Sequence, residues 1–236
     1  MKLNEETNIL IVIMKKTLLL FSLSLFLSCV KHNVPEILTQ PGISEILSRP
    51  AASSVTINLL SDINTEIYWE YGKTSGSFIL KTEIYTVLRG VPDEVVIENL
   101  DPGAKYYYRA RYRAVGNSGT YLSGPEHSFQ TCRSAGTTFK FAIEADPHLD
   151  VNSDTAAYAL TLKNIAAANP DFLIDLGDTF MSEKQTPPVT QAVITSRHLL
   201  LRSYFDRICH SIPLYLVLGN HEGELGWRYD GSEGSV

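Results

Sequence analysis

Three stretches constrain this chain more than any other feature: "FKFAIEADPHLD", "DFLIDLGDTF" and "IPLYLVLGNHE" each run from apolar residues into acidic, amide or imidazole ones. Between the first two, Ser153 or Asp154 can cap a helix that carries Tyr158, Leu162 and Ile165 at helical spacing, and Asn169-Pro170 ends it. Between the last two, a break at Pro187-Pro188 precedes Val189, Val193, Leu200, Tyr204 and Ile208, again at helical spacing. The order is β-α-β-α-β, which predicts parallel strands joined by helical crossovers. In such a sheet the strands point the same way, so their carboxyl ends open on one edge, where α/β sheets bind ligands. Asp146 and His148 follow the first strand, Asp178 the second, and Asn220 and His221 the third.

Each of these motifs is weak alone, because Asp-x-His and Gly-Asp are common in loops. The ordered set, each member after an apolar strand, points to one site. Carboxylate and amide oxygens suit hard cations, and imidazole adds a borderline nitrogen ligand. Asp178, with two oxygens, could bridge two ions, and a pair of ions about 4 Å apart would polarise a phosphoryl oxygen and supply hydroxide at neutral pH. Glycine before Asp178 and before Asn220 lets the backbone turn tightly and clears space. Blander readings fit the neighbours. Asp175 supports the site or stands at the sheet edge, Asp150 is a cap or loop acid, and His127, His198 and His210 are solvated surface residues.

The trio "DPH", "GDTF" and "GNHE" resembles the first three motifs of calcineurin-like metallophosphoesterases. The resemblance implies that Asp146 and His148 bind one metal, Asp178 bridges two, and Asn220 binds the second. It makes His221 the catalytic imidazole, with Glu222 beside it as an orienting residue. It also implies two di- or trivalent ions, Fe, Zn or Mn, and a phosphoester substrate. The family's later histidines, including a Gly-His-x-His, have no counterpart after His221. Residues 138–236 are therefore expected to be the N-terminal half of a phosphoesterase domain, a partial α/β unit with a parallel βαβαβ sheet.

The first half reads differently. "SVTINLL" places Val55, Ile57 and Leu59 on one face, and "EIYWEYG" does the same with Ile67, Trp69 and Tyr71. Turn residues recur at Ser61-Asp62, Gly72, Gly90, Pro102-Gly103 and Gly116-Asn117, which predicts a β-sandwich over residues 35–131. "NLDPGAKYYYRARYRA" resembles the E–F corner of fibronectin type III domains, with Tyr106 as the corner tyrosine and Trp69 as the core tryptophan. A fibronectin-like domain ahead of a phosphoesterase domain resembles the layout of purple acid phosphatases. The first motif here carries a His those enzymes normally lack. Thr179-Phe180 stands where they place an iron-binding Tyr.

Residues 1–28 read as a lipoprotein signal peptide: Lys15-Lys16, an apolar and hydroxyl run, then "LFLSC" ending at Cys29. The run is too short to span a bilayer, which takes about 20 apolar residues. Met14 is an alternative start. Lipidated at Cys29, the chain would sit in the bacterial cell envelope, anchored to the outer membrane or to a periplasmic or extracellular face. Cys132 and Cys209 are expected to stay unpaired. A formal charge of −6 over 236 residues argues against a nucleic-acid partner.

Two functions follow. The first is a metal-dependent phosphoester hydrolase of the cell envelope, shortened and impaired in activity. The alternative is a non-catalytic, lipid-anchored fibronectin-like spacer or binding module that carries a phosphoesterase remnant.

Overall fold

A computed structural model describes residues 41–149, 153–179 and 191–221. Residues 1–28, Cys29 and Glu222 lie outside these, as does the start of the 35–131 segment. Nine strands come first: β1 (Ile43–Ser48), β2 (Val55–Ser61), β3 (Thr65–Gly72), β4 (Leu80–Lys81), β5 (Tyr85–Val87), β6 (Asp93–Ile97), β7 (Lys105–Ala114), β8 (Leu122–Ser123) and β9 (His127–Gln130). They form two antiparallel sheets. One has the order β1-β2-β6; the other runs β4-β3-β7-β8, with β5 also on β3 and β9 also on β7.

Alternation dictates what lies between the sheets. Val55, Ile57, Leu59, Ile67 and Trp69 are fully buried and share one core with Leu47, Val95, Ile97, Tyr108 and Phe129. Tyr71 packs on this core part-buried. The Tyr106 hydroxyl accepts a hydrogen bond at 2.9 Å from the backbone N–H of Asp101, which closes the corner before β7. Arg109 and Arg113 on β7 pair with Glu70 and Glu66 on β3, across the strand pair that the register places opposite.

The second region is a parallel sheet. β10 (Phe141–Glu144), β11 (Phe172–Asp175) and β12 (Leu214–Leu216) lie in that order, with β11 in the centre. Helices α1 (Thr155–Ala168) and α2 (Gln191–Cys209) make the crossovers. Asp154 caps α1, its carboxylate accepting from the N–H groups of Ala156 and Ala157, and Asn169 ends it in the left-handed conformation. Both helices pack on one face of the sheet, against Leu173 and Leu214, through Tyr158, Leu162, Leu201, Tyr204, Phe205 and Ile208. α2 buries Tyr204 and Ile208 as expected and departs from the expected stripe at Leu200. Leu200 is exposed and Leu201 buried, because Ile194, Leu201, Tyr204, Phe205 and Ile208 make the inward stripe. Among the described residues, no helix covers the opposite sheet face. Phe139, Phe141, Phe172 and Tyr215 line it, ring against ring with centroids 5.5–6.1 Å apart.

The described residues form one unit, and β1 ties its two cores together. Its residues Glu45, Ile46 and Leu47 are all buried, Leu47 in the sandwich core and Ile46 in the core beneath α2. The Arg202 guanidinium of α2 donates to Ser44 Oγ and O and to Asn58 Oδ1 and O, at 2.6–3.1 Å. Tyr108 donates its hydroxyl proton to the His210 carbonyl at 2.6 Å. The Glu45 N–H donates to Asp206 at 3.0 Å. The Glu45 carboxyl accepts from Trp69 Nε1. Burial pushes that carboxyl up to about 7, against the lowering effect of the Trp69 bond.

His127 and His210 correct the surface reading. They stack across this junction with centroids 3.9 Å apart and an interplanar angle of 26°, both half-buried. Burial, and then the neighbouring imidazole, pulls His127 down to about 4. His198 is exposed as expected. Cys132 and Cys209 are both free thiols, one exposed and one buried. Among the described residues, no helix is long and apolar enough to cross a membrane.

Candidate metal centre

The parallel pairing continues past the strands and fixes the loops that carry the polar residues. The N–H of Asp146 donates to the Gly177 carbonyl at 3.0 Å, that of His148 to the Asp178 carbonyl at 3.1 Å, and that of Leu149 to the Thr179 carbonyl at 2.7 Å. The loops after β10 and β11 are thus bonded to each other. Ser153 braces the first by donating its hydroxyl proton to the His148 carbonyl. The loop after β12 joins through the His221 N–H, which donates to Asp178 Oδ1 at 3.0 Å.

These loops are also where the backbone is held in an unfavourable region. Six described non-glycine residues have positive φ, and three of them are Asp146, His148 and Asp178, at +57°, +44° and +55°. Such residues cost of order 1–3 kcal/mol each and persist only where the surroundings over-determine them. Here the inter-loop hydrogen bonds do so. Gly177, at φ +89°, is, among the described glycines, the position where only glycine fits both the angle and the space. Its missing side chain is where the Gly219 backbone lies.

The result is a cluster at the carboxyl edge of the sheet. Ligand atoms of His148, Asp178 and His221 lie within 4.8 Å of one another, and all three residues are half-buried. The two imidazoles meet edge-on, with centroids 5.5 Å apart at 81°. Asp146 stands at the rim, its side chain 63% exposed and its Oδ1 3.6 Å from His148 Nε2. Asn220 is exposed on the same loop as His221. Glu222 lies outside the described residues, as does Asp150.

The donors suit a divalent or trivalent cation: two imidazoles and a carboxylate, within one coordination sphere's reach. His148 Nε2 supports the fit. It is shielded from solvent and makes no hydrogen bond among the described residues, which for a buried polar atom needs an explanation, and a cation would satisfy it. His221, read from the motif as the catalytic imidazole, is therefore also close enough to ligate.

Beneath the cluster lies a pair of buried acids. Asp175 is fully buried on the central strand and not at the sheet edge. Glu144, part-buried beside it, accepts from the Tyr158 hydroxyl at 3.2 Å. Burial, and then the charge of Asp175, pushes Glu144 up to about 7. Motif reading passed over Glu144 because a carboxylate on an ordinary strand carries no spacing signal.

Residues 139–235 match the calcineurin-like phosphoesterase family. No curated protein matches the sequence. Among solved structures, the purple acid phosphatase PPD1 from yellow lupin (Lupinus luteus) seeds superimposes with a TM-score of 0.60 at 16% identity, over 83% of this chain and 38% of that one. A structure of PhoD superimposes with a TM-score of 0.59 at 17% identity, over 77% of this chain and 39% of that one. The chain thus spans under two-fifths of either structure. At these identities the likeness is one of fold, and it covers the sandwich and the parallel sheet together.

Proposed function

We propose, from the match of residues 139–235 to the calcineurin-like phosphoesterases, that this chain works as a metal-dependent phosphoester hydrolase. The observation that supports it most is the convergence of His148, Asp178 and His221 at the end of three parallel strands. Asp146, His148, Asp178 and Asn220 are assigned as metal ligands, with Asp178 as the bridge when two ions bind. A bound ion would polarise a phosphoryl oxygen and lower the pKa of a water. The chain's own part is to hold the substrate at an edge open to solvent. Asp178 is held in the cluster by the His221 N–H, which donates to its Oδ1. His221 is assigned to the proton on the leaving oxygen, with Glu222 as its orienting neighbour. Fe, Zn and Mn all suit the donor set.

Location is part of the same proposal. Cys29, after the Lys15-Lys16 and apolar run, would carry the lipid that holds the enzyme at the cell envelope, with the fibronectin-like sandwich between anchor and site. An intact Leu27-Ser28-Cys29 peptide in the mature protein would exclude it.

One observation favours the alternative of a non-catalytic anchored module. Among the described residues, only one group of His, Cys, Asp and Glu side chains is close enough to hold an ion. Catalytic sites usually take three protein ligands per metal and keep a position open, so this set serves one ion and not two. An aryl phosphate assay of the purified chain with added Mn²⁺ or Zn²⁺ separates the readings. Turnover abolished by Asp178→Ala supports the hydrolase. Turnover absent under all metals, or untouched by that substitution, supports the module. His221→Gln then divides two roles: a proton donor loses turnover but keeps metal, whereas a ligand loses both.

A further inference from the structure

We propose that Asp175 is the positioning residue of this centre: its buried carboxylate sets the turn that presents Asp178. The inference rests on the reading of the cluster as a metal site. Asp175 ends β11, the central strand, and is fully buried. Its side chain points to the helix-covered face, as Leu173 does two residues earlier. An aliphatic residue there would extend the core, and a buried carboxylate is expensive unless hydrogen-bonded. Its Oδ1 accepts from the Gly177 N–H at 2.6 Å, an aspartate turn over two residues.

That bond has consequences along the chain. It bends the backbone so that Gly177 and Asp178 both take positive φ, +89° and +55°. The bend carries Gly177 against Gly219, so close that a Cβ on either would overlap its neighbours. The Gly177 and Asp178 carbonyls then receive the N–H groups of Asp146 and His148. Asp178 Oδ1 receives the N–H of His221. One carboxylate beneath the site therefore holds together the three loops that bear its donors. Asp175 is not itself a ligand, because its carboxylate lies outside the group formed by His148, Asp178 and His221.

The test uses the full chain with Asp175→Leu, which fills the volume without an acceptor, and Asp175→Asn, which keeps one. Two quantities are read: Mn²⁺ affinity by calorimetry, and hydrogen exchange of the Gly177 amide by NMR. Asp175→Leu is expected to weaken Mn²⁺ binding by about tenfold or more, the usual loss for a residue that orients a ligand. It should also release the Gly177 amide to fast exchange. Asp175→Asn should stay close to wild type in both. Folded Asp175→Leu with unchanged Mn²⁺ affinity, or with the Gly177 amide still protected, overturns the proposal. An Asp175→Asn chain as impaired as Asp175→Leu overturns it too, because charge and not the hydrogen bond would then matter. Should wild type bind no Mn²⁺, the metal reading fails, and the Gly177 amide alone decides the role of Asp175.

Discussion

Gly177 and Gly219 lie backbone to backbone at the mouth of the parallel sheet, so that a side chain on either has no room. A Cβ on Gly219 would meet the backbone nitrogen and the carboxylate of Asp178. Gly219→Ala should therefore push the β12 loop away from Asp178 and break the His221 N–H bond to it. Overpacking of this kind costs about 1–3 kcal/mol. The expected outcome is a lower melting temperature and Mn²⁺ affinity reduced by about tenfold. Calorimetry of both would show it, and wild-type affinity in the variant would mean that the contact is slack.

The corner tyrosine makes a smaller, cleaner prediction. Tyr106 is buried, and its hydroxyl takes the Asp101 N–H at 2.9 Å. Tyr106→Phe keeps the ring, which stacks on Phe129 at 5.7 Å, and removes only the acceptor. Stability should fall by about 1 kcal/mol, the net worth of one such bond. Urea denaturation measures it. A loss well above about 3 kcal/mol would mean that the ring has also moved.

What could be read without coordinates, and what could not, divides along range of interaction. The convergence of His148, Asp178 and His221 was legible because each follows an apolar strand, and parallel crossovers send strand ends to one edge. Tyr106 was legible because its partner is five residues away. β1 was not, since Glu45, Ile46 and Leu47 are buried in succession between two cores, and no single period describes a strand with two covered faces. The His127–His210 stack joins β9 to the end of α2, and two isolated histidines in sequence carry no sign of each other. For Asp175 the sequence left two readings open, support of the site or a place at the sheet edge, because its bond to the Gly177 N–H is visible only in the turn geometry.

The sheet face that no described helix covers should govern solubility. Phe141 is 47% exposed and Ile143 55%, on a sheet type ordinarily covered on both sides. An apolar dye such as ANS should bind the folded chain, and Phe141→Lys should reduce that binding by about half or more while the melting temperature holds within a few degrees. Dye binding unchanged by the substitution would place the apolar surface elsewhere.

The junction predicts two opposing pH dependences. Glu45 is raised from 4.5 to about 7 by burial, with Asp206 adding to the rise, so the folded chain keeps a proton that the unfolded chain loses. Its stabilising contribution is complete below about pH 4.5 and disappears as pH rises to about 7. His127 is lowered from 6.5 to about 4 by burial and by His210, so the unfolded chain takes up the proton first. Its contribution is complete above about pH 6.5 and disappears as pH falls to about 4. Across the overlap the two slopes offset each other. Glu45→Gln keeps the acceptor for Trp69 Nε1 but cannot ionise, so it should gain on wild type by roughly 2–4 kcal/mol as pH rises through the Glu45 window. His127→Phe keeps a ring against His210 and should gain on wild type as pH falls through the His127 window. Part of that ring is exposed, so solvent screening reduces the gain to roughly 1–3 kcal/mol. Urea denaturation of the three proteins at half-unit pH steps resolves both. A difference curve that is flat with pH, or that bends opposite to its stated direction, would show that its group is not held uncharged at the junction.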